Sequence, residues 1–545
     1  MSVVLHLSDL HLDPGAEDRE PILDALVAAV EADRRDRERA VDLVVVTGDV
    51  FDTANLEPRA ASRLFMDLLE RIHGALDAGP PTVIVPGNHD RRVRGIVGPE
   101  RNDLLRALAE RTPPHVLVHG TNPPFLAELV PSEFHGQPLH LIAYDSAHLP
   151  RGLLGAGGTL RTEDLLSVAA KIGTREPDWP VLLLLHHHLV PTPVTDEDPI
   201  DADTQPRLLQ WGLERVLPRL LAHADREEWM VTALGSGSAL SMLHTLQRPV
   251  LVLHGHKHNP TARLLKSTRG EGGDVVICSA GSAGCAQSVR QSATRRSARI
   301  WPSFNVVELS PEALQVEAVS FGYAGKARGA LDVRSMICAA REGAAWNVVP
   351  SPDVRLRVGD RDAEPRVGLD AMHVRLAARE DVYDLHIRRT IEADPLAGRP
   401  PHYVDTVHTD GTLVVDGDDR ETPHALALSI TEPREYRVRA GLSRTLTHAL
   451  ARSGKAAIPY ATLDLLCRYR ARTARLVVTG IPDPDAAFGS ACDAGTGLVR
   501  PIALRREDEH LVLELDPCDA RTELRISWPL ANDLSRGASV VSAAG

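Results

Sequence analysis

Short apolar runs punctuate the first half of this chain. Residues 3–7, 41–47, 81–86, 139–144, 181–185 and 249–254 consist largely of Val, Leu and Ile. Bounded runs of that length predict strands buried on both faces. Between them the period changes, and residues 21–30, 58–76 and 102–110 place apolar side chains at helical spacing. The charged tract 31–39 reads as the solvated end of the first helix. Strands alternating with helices predict parallel pairing with helices on both faces.

The segment 191–247 is long for a connection, and a cap insertion is expected there. It opens with an acidic, Pro-containing loop at 195–203 and continues with a helix at 208–221. Residues 275–278, 304–309 and 314–321 read as strands completing a first domain over 1–325. A Gly/Ala/Arg-rich linker is expected over 326–352. Beyond it, 353–545 reads as a β-rich accessory or partner-binding region. Alternating segments such as 371–376, 382–387 and 511–515 predict antiparallel strands, in one or two sandwiches. Turns are expected at Asp410-Gly411 and Asp416-Gly417, and a helix at 441–451.

The 545 residues suffice for two or three domains with real cores, and 43% hydrophobic with 25% charged residues is ordinary for a globular chain. No apolar run is long enough to span a bilayer. The chain starts without a basic n-region or a long apolar h-region, so a cytoplasmic location is the expectation. The six cysteines form no CxxC pair and read as reduced thiols. A net charge of −13 disfavours a generally basic nucleic-acid binder, although a bound cation would add local positive charge.

Chemistry enters at the strand exits. Ligands of open α/β sheets gather beyond the carboxyl ends of the strands. The exits here carry Asp9-x-His11, Gly48-Asp49-x-x-Asp52, Gly87-Asn88-His89-Asp90, His186-His187-His188 and Gly255-His256-x-His258. Carboxylate, carboxamide and imidazole form a mixed oxygen and nitrogen donor set. That set suits Mn, Fe, Zn or Co better than calcium. It is large enough for two divalent ions, with manganese the leading choice, that share one carboxylate, activate water and clamp a phosphoryl group.

Five such clusters in this order resemble the calcineurin-like metallophosphoesterase superfamily over roughly the first 320 residues. The resemblance implies an α/β fold, a β-sandwich flanked by helices, followed by the β-rich C-terminal region. It implies that Asp9, His11 and His258 hold one ion, that Asp49 bridges, and that Asn88, His186 and His256 hold the other. His187 stays open as an alternative to His186. His89 would donate a proton to the leaving oxygen while hydroxide attacks in line, and the Asp52 carboxylate would orient His89. Asp90 reads as structural and His6 as a core residue. Arg91 and Arg92 read as arginines after a loop, solvated or, for Arg92 above all, meeting the substrate phosphate.

The substrate is narrowed only in part. Thr53 stands where serine/threonine phosphatases carry Arg. The stretch 48–55 looks similar to the bacterial DNA-repair exonucleases, whereas 186–191 and 253–258 look more like the cyclic-nucleotide phosphodiesterase branch. A phosphodiesterase of nucleic acid or nucleotides leads. A cyclic-nucleotide phosphodiesterase, a general phosphatase, or an interaction protein docking a partner through its C-terminal half are the alternatives. The arginines of 290–299 read as a solvated loop or as a guide for nucleic acid.

Overall fold

The structure is a computed structural model of the whole chain. It describes residues 2–16, 19–37, 40–91, 102–121, 127–148, 158–173, 179–190, 232–267, 273–285, 287–291, 296–323, 331–348, 354–360, 368–379, 382–392, 403–415, 418–430, 434–441, 460–467, 471–481, 484–493, 499–516, 518 and 522–529. The chain divides into two units, Met1–Ser320 with Val333–Pro350, and Phe321–Asp332 with Ser351–Gly545.

The first unit opens with β1 (Ser2–Leu7), α1 (Glu20–Arg37), β2 (Leu43–Thr47), α2 (Pro58–Ala75), β3 (Thr82–Val85), the single turn α3 (Asn88–Arg91), α4 (Asp103–Ala109) and β4 (Val116–Val118). Strands β1 to β4 lie side by side in parallel, as the alternation with helices requires. Helix α2 shows how locally the signals act. Pro58 sits in the first turn and the Glu57 carboxylate accepts from the amides of Arg59 and Ala60. One face then buries Ala61, Phe65, Leu68, Leu69 and Ile72.

A second sheet follows, made of β5 (Ala127–Leu129), β6 (His140–Tyr144), β7 (Val181–Leu184), β8 (Val250–His254), β9 (Thr261–Leu265) and β10 (Val275–Ser279). Helices α5 (Ser132–His135), α6 (Thr162–Gly173) and α7 (Ser236–Thr245) interleave with its strands. β6, β7, β8 and β10 are parallel, and antiparallel β5 and β9 close the edges. A hairpin of β11 (Gln287–Gln291) and β12 (Arg296–Ile300) comes next. The chain then returns to β1 as β13 (Ser303–Leu309) and runs outward through β14 (Ala313–Phe321), β15 (Leu331–Glu342) and β16 (Ala345–Val348).

The two sheets pack on each other as the β-sandwich that the resemblance implies, and this corrects the reading of one sheet with helices on both faces drawn from the alternation alone. Val4, Leu43, Val45, Val83 and Val85 of the first sheet share a core with Leu141, Ala143, Leu182, Leu184, Leu251, Leu253 and Val276 of the second. Each such side chain contributes roughly 1.5–3 kcal/mol when withdrawn from water. The outer face of the second sheet is covered by α6 and α7, where Leu165, Val168, Ile172, Ala239 and Leu243 meet Leu183, Val252 and Ile277.

The segment read as a linker is largely strand. Ile337, Ala339 and Trp346 join the inter-sheet core, with Trp346 fully buried. Composition hid an alternation of period two. Among the described residues of the second unit, thirteen strands form one sheet, from Val354–Asp360 to Thr522–Pro529. The turn expected at Asp410-Gly411 is absent, because Tyr403–Val415 stays extended and absorbs the dipeptide as a shift of register between His408 and Thr412. Leu463, Leu476, Leu513, Leu524, Ile526 and Trp528 are buried in this unit, as is the Asp464–Arg525 ion pair. The loop 195–203, the helix 208–221, residues 442–451, the Asp416-Gly417 turn and Arg92 lie outside the described residues. Among the described residues no helix is long and apolar enough to cross a membrane.

Arg91 is not a solvated arginine. It ends α3, is fully buried, and pairs with Asp145 just beyond β6. It also donates to the Gly120 carbonyl at 2.8 Å and to Asn102. One ion pair thus ties the exit of β3 to the exit of β6, across the two sheets. Removing one partner leaves the other charge buried. Arg91→Ala is expected to destabilise the first unit by about 3–5 kcal/mol in urea unfolding, and a loss below about 1 kcal/mol contradicts this reading.

Candidate metal centre

The strand exits of both sheets are threaded together by backbone hydrogen bonds. Beyond β1 and β2 the parallel pairing continues, with Asp9 N donating to Gly48 O at 3.0 Å, His11 N to Asp49 O at 2.9 Å and Leu12 N to Val50 O at 2.8 Å. Across the second sheet Gly255 N donates to His186 O at 3.1 Å. The segment after β10 closes the ring, with Ala283 N on Ser8 O at 2.9 Å.

These loops are strained. Asp9, His11, Asp49, His256 and His258 all have positive φ, between 46° and 81°. That region costs a side-chain-bearing residue roughly 1–2 kcal/mol, and Asp, Asn and His tolerate it best. Glycines permit the close approach. A Cβ on Gly87 would stand 2.1 Å from Asp49 Oδ1, and one on Gly255 1.8 Å from Ser8 Oγ.

The side chains converge in two linked groups. In the first, His258 Nε2 lies 3.2 Å from Asp9 Oδ1 and 3.1 Å from His11 Nε2, and His11 Nε2 is 3.9 Å from Asp9 Oδ1. In the second, His186 Nε2 lies 3.2 Å from Asp49 Oδ2 and 3.1 Å from Asn88 Oδ1. His186 and His256 stack edge-on with ring centroids 5.1 Å apart. The groups are joined in the middle, where donor atoms of Asp9, Asp49 and His186 all lie within 4.8 Å of one another.

The donor set fits divalent cations. Atoms held about 2.1 Å from one ion stand roughly 3.0–3.4 Å apart in tetrahedral or octahedral arrangements, close to the distances above. His186 Nδ1 donates to the Thr47 carbonyl at 2.7 Å, which turns Nε2 toward Asp49 and Asn88. Among the described residues, the buried His256 Nε2 has no hydrogen-bond partner. His256 N, meanwhile, donates to both Asp9 oxygens, at 3.2 and 3.0 Å.

Electrostatics sorts the group. Burial pushes the Asp9 carboxyl up, but His258 and His186 outweigh it and hold it at about 2. Burial likewise opposes the ionisation of Asp49, yet His186 and His89 keep it well below the usual carboxylate range. Burial lowers His186, and the Asp49 carboxylate then raises it to about 9. His256, buried among His187 and His186, falls well below its ordinary value. Asp90 is pushed up to about 7 by burial and then by Asp49, and it accepts from the amides of Phe51 and Gly87 at 2.9 and 2.8 Å.

Asp9, His11, Asp49, Asn88, His186, His256 and His258 are thus brought together, and His89 stands at their edge. His89 N donates to Asp49 Oδ1 at 2.9 Å. Its ring departs from the expected arrangement. Nδ1 donates to the backbone carbonyl of Asp52 at 2.7 Å, while the Asp52 carboxylate accepts from Arg19 at 3.1 Å. His187 takes Ser146 Oγ at 2.9 Å through Nδ1, and its ring also lies 4.8 Å from His256. The motifs gave no sign of Arg19 or Ser146, which stand alone in sequence and reach the centre only through the fold.

Beneath the centre, burial and then His254 push His6 down to about 3, and burial pushes His254 down to about 4. Unfolded histidines take a proton below their ordinary 6.5, and these do not while the chain stays folded. The unfolded state therefore binds more protons, and stability falls as pH drops from 6.5 toward about 4. The metal-free protein is expected to lose thermal midpoint over that window. His6→Asn should reduce the slope by about one proton, on the order of 1.4 kcal/mol per pH unit, and an unchanged slope contradicts the assignment.

The family model of calcineurin-like phosphoesterase matches residues 2–260. A component of the nuclease SbcCD of Bacillus subtilis is 29% identical over 144 residues, which are 26% of this chain and 34% of that protein, so the match spans about a third of its length. Among solved structures, Vps29 of Chaetomium thermophilum aligns at 12% identity with a TM-score of 0.25, covering 63% of this chain and 98% of its own. The phosphopantetheinyl hydrolase PptH of Mycobacterium tuberculosis aligns at 13% identity with a TM-score of 0.26, covering 52% of this chain and 90% of its own. Residues 2–260 thus carry the sequence pattern of the calcineurin-like phosphoesterase family model.

Proposed function

We propose that the first unit hydrolyses phosphodiester bonds of nucleic acid or nucleotides with two divalent cations, manganese the leading choice. The observation that carries this reading is the meeting of Asp9, Asp49 and His186, which joins two donor groups through one buried carboxylate pair. In this reading Asp9, His11 and His258 hold one cation, Asn88, His186 and His256 the other, and Asp49 serves both. Such cations, when bound, lower the pKa of water and clamp phosphoryl oxygens.

The chain's own residues do the rest. Asp49 and Asp9 are sealed from solvent, so their charge is spent on the cations and not on bulk water. His186, held protonated beside Asp49, would have to release that proton to serve as a metal ligand. His89 is only half-buried, with Nδ1 fixed on the Asp52 carbonyl, so Nε2 is the ring atom left to protonate a leaving oxygen.

Two observations favour nucleic acid. The Bacillus subtilis protein is by name part of a nuclease. The hairpin β11–β12 begins just past Gly284, whose amide lies 3.4 Å from the Asp9 carbonyl. Residues 286–300 hold Arg290, Arg295, Arg296 and Arg299 and no acid. A basic arm rooted at the centre suits a polyanionic substrate.

The test is purified protein with manganese, assayed on bis(p-nitrophenyl) phosphate, single- and double-stranded DNA, RNA, cyclic nucleotides and a phosphopeptide. Turnover confined to the phosphopeptide rejects the reading. Asp49→Ala is expected to lose bound metal and turnover together, and full metal content by elemental analysis removes Asp49 from its shared role. His89→Ala keeps the backbone amide that meets Asp49, so metal content should hold while turnover of a poor leaving group drops about 10²–10⁴-fold. An undiminished rate takes His89 out of the chemistry.

A further inference from the structure

The guanidinium of Arg19 is only partly satisfied. Arg19 directly precedes α1, in a turn whose amide donates to Ala16 O at 3.3 Å. Its Nη2 donates to Asp52 Oδ1 at 3.1 Å. Its Nη1 is buried and has no hydrogen-bond partner among the described residues. Arg carries five donors and no acceptor, so a buried N–H of this group lacks an anion or a carbonyl.

The place of Arg19 tells which acceptor it lacks. The same Asp52 oxygen lies 3.7 Å from His11 Nδ1, and donor atoms of His11, Asp52 and His89 lie within 4.8 Å of one another. Arg19 therefore stands one side chain away from a metal-binding histidine and from the proton donor. The Arg19 side chain keeps 19% of its surface and Asn88 and His89 are part-exposed, whereas Asp9 and His186 keep none.

We propose that Arg19 is a phosphate-binding residue of this site. Nη1 donates to a non-bridging oxygen of the phosphodiester while Nη2 stays on Asp52. The planar fork of Arg suits both acceptors at once, and the Asp52 carboxylate fixes its orientation before substrate arrives. The proposal rests on the phosphodiesterase reading and adds to it a named anchor for the phosphoryl group.

The experiment uses the full chain loaded with manganese. Inorganic phosphate binding is measured by calorimetry, and KM and kcat on bis(p-nitrophenyl) phosphate, for wild type, Arg19→Met, Arg19→Lys, Asp52→Asn and the Arg19→Met/Asp52→Asn pair. Metal content and thermal midpoint are followed throughout. Arg19→Met should weaken phosphate binding at least tenfold and raise KM with metal content unchanged, and Arg19→Lys should recover only part. Asp52→Asn should keep most phosphate affinity, and adding Arg19→Met should then remove it. Wild-type phosphate affinity in Arg19→Met overturns the proposal. So does a loss in Asp52→Asn that Arg19→Met does not deepen, because Arg19 then acts only through Asp52. If wild type itself neither turns over the diester nor binds phosphate, the phosphodiesterase reading falls and takes the proposal with it, an outcome distinct from a failure of Arg19 alone.

Discussion

Two carboxylates buried side by side set the terms for the first unit. Asp9 and Asp49 leave solvent almost completely, with 0% and 2% of their surface exposed. Burial opposes both charges, and imidazoles on every side keep them ionised. Uncompensated charge in such a place costs several kcal/mol. The features around the pair make sense as answers to that cost. Left-handed backbone aims each donor inward, glycines let the loops close, and carbonyls such as that of Thr47 fix which imidazole nitrogen faces the carboxylates.

The histidines are not equivalent, although sequence gives them equal weight. His186 faces Asp49 and is driven up to about 9, while His256 faces other imidazoles and is driven far down. In the metal-free protein a proton is therefore favoured on His186, while His256 keeps a bare lone pair.

What was legible in the sequence is what local chemistry writes there. Runs of Val and Leu marked the parallel strands, and polar clusters at their ends marked the ring of donors, because strand exits on one edge of a sheet must converge. What was not legible came from distant partners. Arg91 reads like any surface arginine until Asp145 is brought against it. Asp52 carries the expected carboxylate, yet its carbonyl meets His89 because Arg19 claims the side chain. The pairing of two sheets face to face came from the resemblance and not from the periodicity, because both arrangements bury the same strands. The alternation of Ile337 and Ala339 was masked by its Gly-, Ala- and Arg-rich surroundings.

The first unit is discontinuous along the chain. It runs to Ser320, is interrupted by Phe321–Asp332, and resumes as Val333–Pro350. Trp346, the largest side chain of the inter-sheet core, therefore leaves the ribosome well after every donor of the centre. During synthesis the donor residues emerge while that core still lacks Trp346, so the residues of the centre and the last core side chain become available at different times. Any shortened version of the protein that ends before Pro350 would keep all of the chemistry in its sequence and lose the plug that seals the sandwich above it.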